Sequence, residues 1–322
     1  MSVAEVTPED LLNPGAEVPR PNRLSRLRGD YTARELALAA VFLVPSLVIF
    51  VAFFFYPLIR SVYLSFHGTD IIGGPGAYVG LAQYQQLVTS PEFRHVLIVT
   101  AAFTLLTVIP GILIGLLLAL ALQARVRGVT AFRTLMATPF AFSVATASVI
   151  FAVLYYPAVG VLNSLLGFLN ISPVAWLTSS ATALPSVAAL TVWLQLGYNL
   201  LVLSAGLQAI PEDIYEAARL DGARGWATTL RITLPLLTPS LFFLVIVSTI
   251  NSLQTFGQIF ILTRGGPVGS TTTLVYSLYQ NAFAFGSSNF GLASAQAVVL
   301  FVIVATITAI QFGVLQRRVF YQ

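Results

Sequence analysis

The sequence predicts an all-α, polytopic membrane protein with six transmembrane helices. Three observations carry that prediction. Hydrophobic residues make up 57% of the 322-residue chain and charged residues only 9%, with mean hydropathy +0.86; soluble domains are about a quarter charged. Six apolar stretches each reach about 20 residues, the length that crosses a hydrocarbon core. The arginines are also unevenly placed. With both termini inside, Arg20, Arg23, Arg26, Arg28, Arg34, Arg125, Arg127, Arg133, Arg219, Arg224, Arg231, Arg317 and Arg318 are cytoplasmic, and only Arg60, Arg94 and Arg264 are outside. A bias of this kind orients membrane helices.

Residues 1–34 are polar and hold Pro8, Pro14, Pro19 and Pro21. They read as a largely disordered cytoplasmic tail, with helical character near Leu24–Arg28. They do not read as a signal peptide, because the apolar core that follows is too long and starts too late. The spans are expected at 36–58, 97–122, 134–155, 183–206, 239–262 and 292–314, all within a membrane domain of residues 35–318. A cytoplasmic loop occupies 207–235, and 319–322 is a cytoplasmic end. The loop at 67–95 is external and holds both histidines, His67 and His95. Without a third ligand or a constraining spacing they read as surface residues rather than a metal site. Residues 264–273, Arg-Gly-Gly-Pro-Val-Gly-Ser-Thr-Thr-Thr, are turn formers after the fifth span.

Composition excludes several functions. There is no cysteine, so disulfides and thiolate metal sites are absent. There is no lysine, so a P-loop ATPase site cannot be built from this chain. The formal charge of +4 follows the membrane bias and needs no nucleic-acid partner. No Asp or Glu lies between Glu92 and Glu212 or after Asp221. An ion-coupled carrier generally needs such groups near the bilayer midplane, although sodium sites of backbone carbonyls stay open.

The polar groups inside the spans are neutral. In the fifth, Ser248, Asn251, Ser252, Thr255 and Gln258 recur at three- and four-residue intervals, so on a continuous helix they share a face, with Gln254 beside it. Such a stripe faces protein or water, not lipid. It either lines a solute pathway or bonds one helix to another. In the fourth span Thr191, Gln195 and Tyr198 share a face, near Trp193 and Asn199. Aromatic rings with a few amides suit a sugar, which has apolar C–H faces and many hydroxyls. Phe140 and Ser143 in the third span join this group or simply pack.

The only long polar interruption of the second half is Glu216-Ala217-Ala218-Arg219-Leu220-Asp221-Gly222, followed by Ile232-Thr233-Leu234-Pro235. It reads as a short helix, a turn and a second helix. Pro211 suits a first helical position, and Glu212 and Asp213 suit the first turn. Ala217 and Ala218 allow a partner to come close. Gly222 suits the left-handed residue that ends a helix, and Asp221 suits the cap of the next one. The result is a rigid polar knuckle between two spans.

The pattern Glu-Ala-Ala, three residues, Gly, nine residues, Ile, one residue, Leu-Pro resembles the "EAA" loop of permease subunits of binding-protein-dependent ABC importers. Other stretches resemble the same family: Tyr78-Val79-Gly80-Leu81 with Tyr84 and Phe93, Phe132-Arg133-Thr134 before Pro139, Gly160 with Asn163, and the Gly-Gly-Pro turn. Ser270 to Tyr276 and the ending from Gln311 to Gln322 resemble the glycerol-phosphate branch. The likeness covers nearly the whole membrane region and stops at the N-terminal tail.

The resemblance implies the type I, maltose-permease-like fold. It implies that the knuckle is a coupling helix docking into an ATPase, with Glu216 facing a basic group there. It implies that Ser248, Ser252 and Thr255, and the region of Thr191, Gln195 and Tyr198, face the solute. The partners it implies are a second permease, two ATPase subunits carrying the ATP and magnesium, an external solute-binding protein and membrane lipid. This chain would then hold no cofactor and catalyse nothing. It would sit in a bacterial or archaeal cytoplasmic membrane and import a sugar or oligosaccharide, or glycerol 3-phosphate or a glycerophosphodiester. An ion-coupled carrier and a passive channel are the rival classes, and neither needs an ATPase-docking loop.

Overall fold

The computed structural model describes residues 33–70, 74–123, 128–223, 225–283 and 288–315. The expected tail up to residue 32, Arg125, Arg127, Arg224 and the expected C-terminal segment from 316 lie outside the described residues. The chain divides into two units, residues 1–58 and 59–322.

In the first unit, α1 (Ala33–Phe50) enters a π-helical turn at Val51–Phe55, and α2 (Tyr56–Ser65) carries the helix on past the unit boundary. The turn has a cause in the sequence. Pro57 has no amide for the carbonyl four residues back, and the widened turn lets the Tyr56 amide bond Val51. Ala37–Ser65 is one apolar helix of 29 residues, so it runs beyond the expected end at 58 and takes in Arg60.

In the second unit, strands β1 (His67–Thr69) and β2 (Pro75–Tyr78) pair antiparallel, with His67 opposite Tyr78. Helix α3 (Ala82–Thr89) leads to Ser90, whose hydroxyl accepts from the Phe93 amide at 3.2 Å. That cap, with Pro91 in the first turn, starts α4 (Pro91–Ala121) six residues before the expected position.

Helix α4 packs along α8 (Ala183–Gln208), and this seam organises the unit. Val108 and Ile112 of α4 meet Leu200, Leu203 and Leu207 of α8, with Leu237 and Leu244 from the fifth span against them. In lipid, such seams are held by close packing, which small residues permit. A Cβ on Gly115 would come within 2.8 Å of the Asn199 Cβ.

Among the described residues four helices are long and apolar enough to cross a membrane, and the number is six with each of two bent pairs taken as one span. The third and fifth spans are therefore broken, where continuous helices were expected. In the third, α5 (Val129–Ala137) passes through a 3-10 turn at Thr138–Ala141 and bends by 101° into α6 (Val144–Leu154). Pro139 stops the first helix, and Ser143 starts the second by accepting from the Thr146 amide at 3.1 Å. In the fifth, α10 (Trp226–Thr228), a π turn at Thr229–Thr233 and α11 (Leu234–Leu236) meet α12 (Thr238–Leu253) at 65°. The π turn again stands just before a proline, here Pro235, and the Leu234 amide bonds Thr229. Helix α12 ends at Leu253, and α13 (Gly257–Leu262) follows a break at Gln254–Phe256.

Between the third and fourth spans lies α7 (Val161–Phe168). Asn163 ties this connection together. Its amide donates to the carbonyls of Pro157 and Val174 at 3.1 Å, and its Oδ1 accepts from the Trp176 indole at 2.8 Å. Helix α14 (Leu274–Phe283) then packs on α15 (Phe290–Leu315).

Candidate solute cavity and coupling knuckle

The bend in the third span and the break at Gln254–Phe256 face one open cavity of about 630 Å³. Phe140, Phe142 and Val144 line it from the bend in the third span. Thr191, Leu194, Gln195 and Tyr198 line it from α8, and Val247, Asn251, Gln254, Thr255, Phe256, Gly257 and Gln258 from α12, its end and α13. Broken backbone at membrane depth is tolerated where it lines a cavity or is buried in protein, so the breaks and the cavity explain each other. Gly197 lets the bend approach: a Cβ there would reach within 2.9 Å of the Phe140 Cβ. The Phe140 and Tyr198 rings then lie 5.6 Å apart on the cavity wall.

Among the described residues none that lines it carries a charge. The exposed polar groups are the amides of Asn251 and Gln254. Thr191 and Thr255 line the wall but spend their hydroxyls on their own helix, at 3.0 Å to the carbonyls of Val187 and Asn251.

The expected stripe of the fifth span is divided. Asn251, Thr255 and Gln258 reach the cavity, but Ser248 and Ser252 are not among its lining residues. Ser252 is 1% exposed, and its hydroxyl lies 2.6 Å from that of Thr107 on α4. It bonds one helix to another, the second of the two roles open to it. The stripe was drawn on one continuous helix, whereas Thr255 and Gln258 lie beyond the end of α12. Phe142 and Phe256 line the cavity and were not singled out from sequence. Ser143 as a cap after Pro139 was the available signal for the first.

The knuckle is α9 (Glu212–Leu220), with Glu212 and Asp213 in its first turn. Two details differ from expectation. Pro211 is the extended residue before the helix, not its first turn. Asp221 ends α9 and caps nothing downstream, because Gly225 precedes α10. Gly222 is left-handed, with φ +80°, as expected. Its amide donates to Arg219, and the Ala223 amide donates to Ala218 at 2.9 Å. These are the two bonds of a Schellman ending. Ala218 is turned into the chain at 6% exposed, while Glu216, Ala217 and Leu220 face outward. Ile214 and Tyr215 pack on the core beneath, and the Tyr215 hydroxyl meets that of Thr233 at 3.3 Å.

Among the described residues no group of three or more His, Asp or Glu could hold a metal ion. His67 is engaged locally: its Nδ1 lies 2.8 Å from the Tyr63 carbonyl and its ring stacks on Tyr63.

The chain is thus a helical membrane protein with a neutral cavity beside its broken spans and a polar knuckle at α9. Residues 111–321 match the family described as binding-protein-dependent transport system inner membrane component, and the chain belongs to it. It is a transport subunit and not an enzyme.

The chain is similar to the sn-glycerol-3-phosphate transport system permease protein UgpA of Brucella abortus, at 39% identity over 87% of this chain and 94% of the relative. It is also similar to the trehalose/maltose transport system permease protein MalF of Thermococcus litoralis, at 32% identity over 87% and 94%. Among solved structures, a chain of a bacterial alginate ABC transporter in complex with a pentasaccharide-bound periplasmic protein aligns with TM-score 0.78. That alignment has 22% identity and covers 88% of this chain and 95% of the other.

Proposed function

We propose that this chain is one of two permeases in an ATP-driven importer of a hydroxylated solute, a sugar or oligosaccharide. The observation that carries this reading is the uncharged cavity of rings, amides and hydroxyls. Apolar ring faces stack on Phe140 and Tyr198, and hydroxyls meet the amides of Gln195, Asn251 and Gln254. An external binding protein delivers the solute. Two ATPase subunits, with their ATP and magnesium, receive the outward face of α9, where Glu216 pairs with a basic group. Both chain ends are cytoplasmic, in the inner membrane of a bacterium or archaeon.

A second reading, glycerol 3-phosphate or a glycerophosphodiester, is favoured by the 39% identity to UgpA. No charge of this cavity would meet the phosphate, so the second permease would have to supply one. Uptake by the reconstituted complex separates the two readings. Labelled sugar taken up and unaffected by glycerol 3-phosphate supports the first; uptake of glycerol 3-phosphate alone supports the second.

A further inference from the structure

Three polar side chains of α8 are enclosed without a hydrogen-bond partner among the described residues: Gln195 through Oε1, Asn199 through both side-chain atoms, and Ser204 through Oγ. Asn199 is 1% exposed and Ser204 6%. Their order along the helix is informative. Gln195 lines the solute cavity. Ser204 lines a second cavity of about 630 Å³ beside the knuckle, together with Arg133 and Tyr215. Asn199 stands between them, against α4.

The facing residues of α4 are Gly111, Gly115 and Ala119, one per turn. A Cβ built on Gly111 would sit 3.4 Å from Asn199 Nδ2 and 3.9 Å from Gln195 Oε1. The Asn199 amide nitrogen, a donor, and the Gln195 amide oxygen, an acceptor, therefore converge beside Gly111. An Asn amide left unpaired in a membrane interior is costly. Native proteins satisfy such groups with ordered water.

We infer that the α4–α8 seam holds ordered water on Gln195, Asn199 and Ser204, joining the solute cavity to the knuckle cavity. The first water bridges Asn199 and Gln195 beside Gly111. The track lets the cavity take up water from the knuckle side as solute leaves, which rests on the transport reading above. The hydration itself does not, so the test is run without solute.

The chain has no cysteine, so single Cys variants report cleanly. Asn199→Cys and Ser204→Cys in the assembled complex are treated with a small charged methanethiosulfonate. The controls are Leu200→Cys and Leu203→Cys, both 0% exposed. A thiol reacts as its thiolate, which water stabilises and apolar packing suppresses, so positions 199 and 204 should label about tenfold faster than 200 and 203. Gly111→Ala sets a methyl group against both amides without a clash, displaces water beside them, and should remove the excess at 199. Ser204→Cys is the milder change and reports even if Asn199→Cys fails to assemble. Equal slow labelling of 204 and the controls, or an excess at 199 that survives Gly111→Ala, would overturn the inference.

Discussion

The Ala223 amide donates to the Ala218 carbonyl at 2.9 Å, which closes the knuckle over Gly222. Ala218 faces inward, and Glu216, Ala217 and Leu220 form one outward edge. The shape of this outward edge therefore depends on a single left-handed residue.

Gly222 separates shape from docking. Its φ of +80° costs any other residue strain, but a Cβ there has nothing within 4 Å among the described residues. Strain alone is about 1–2 kcal/mol for Ala and less for Asn or Asp, which tolerate this region better. If Gly222 served only the turn, Gly222→Asp would be milder than Gly222→Ala. We predict the reverse in uptake assays: Asp abolishes transport while the chain still inserts, and Ala is milder, because the added charge meets the ATPase.

Glu216 is exposed on α9, so Glu216→Ala should leave the thermal stability of the isolated permease unchanged. It should weaken ATPase binding by about 2–5 kcal/mol if its interfacial pair is buried. Asp213→Asn touches the helix start and should cost about 0.3–1 kcal/mol, with the ATPase still bound. Pull-down of the ATPase with each variant measures both.

Ser252 and Gln254 should now behave differently. Ser252→Ala removes the bond to Thr107 and should lower stability by about 0.5–1.5 kcal/mol, with uptake per assembled complex unchanged. Gln254→Leu leaves the packing alone and should lower uptake with normal assembly. Melting temperature and uptake, measured on both, would refute the assignment if the two profiles were exchanged.

Orientation is tested by reporters. A fusion after Ala223 should read cytoplasmic and one within 264–272 external. A cytoplasmic reading for the second would remove one of the six spans.

Much of this was legible in sequence because length and hydrophobicity are local properties. The apolar runs and Gly222 each depend on a few neighbouring residues. The cavity was only half legible. Periodicity assumes an unbroken helix, so it grouped Ser252 with Thr255 across the end of α12. Thr107, the partner that decides the role of Ser252, is remote in the chain and leaves no periodic trace. The bend at Thr138–Ala141 was marked by Pro139 and Ser143, but a proline in a membrane helix is often accommodated, as the π turn before Pro57 is.

The central claim is that α9 couples ATP hydrolysis to the cavity. The most direct measurement is uptake and ATP hydrolysis together, in proteoliposomes holding the second permease, the ATPase and the binding protein. The account predicts solute-stimulated hydrolysis with the native chain. With Gly222→Asp it predicts loss of uptake, with hydrolysis either absent or no longer tied to solute. Normal uptake and normal stimulation by Gly222→Asp would contradict it.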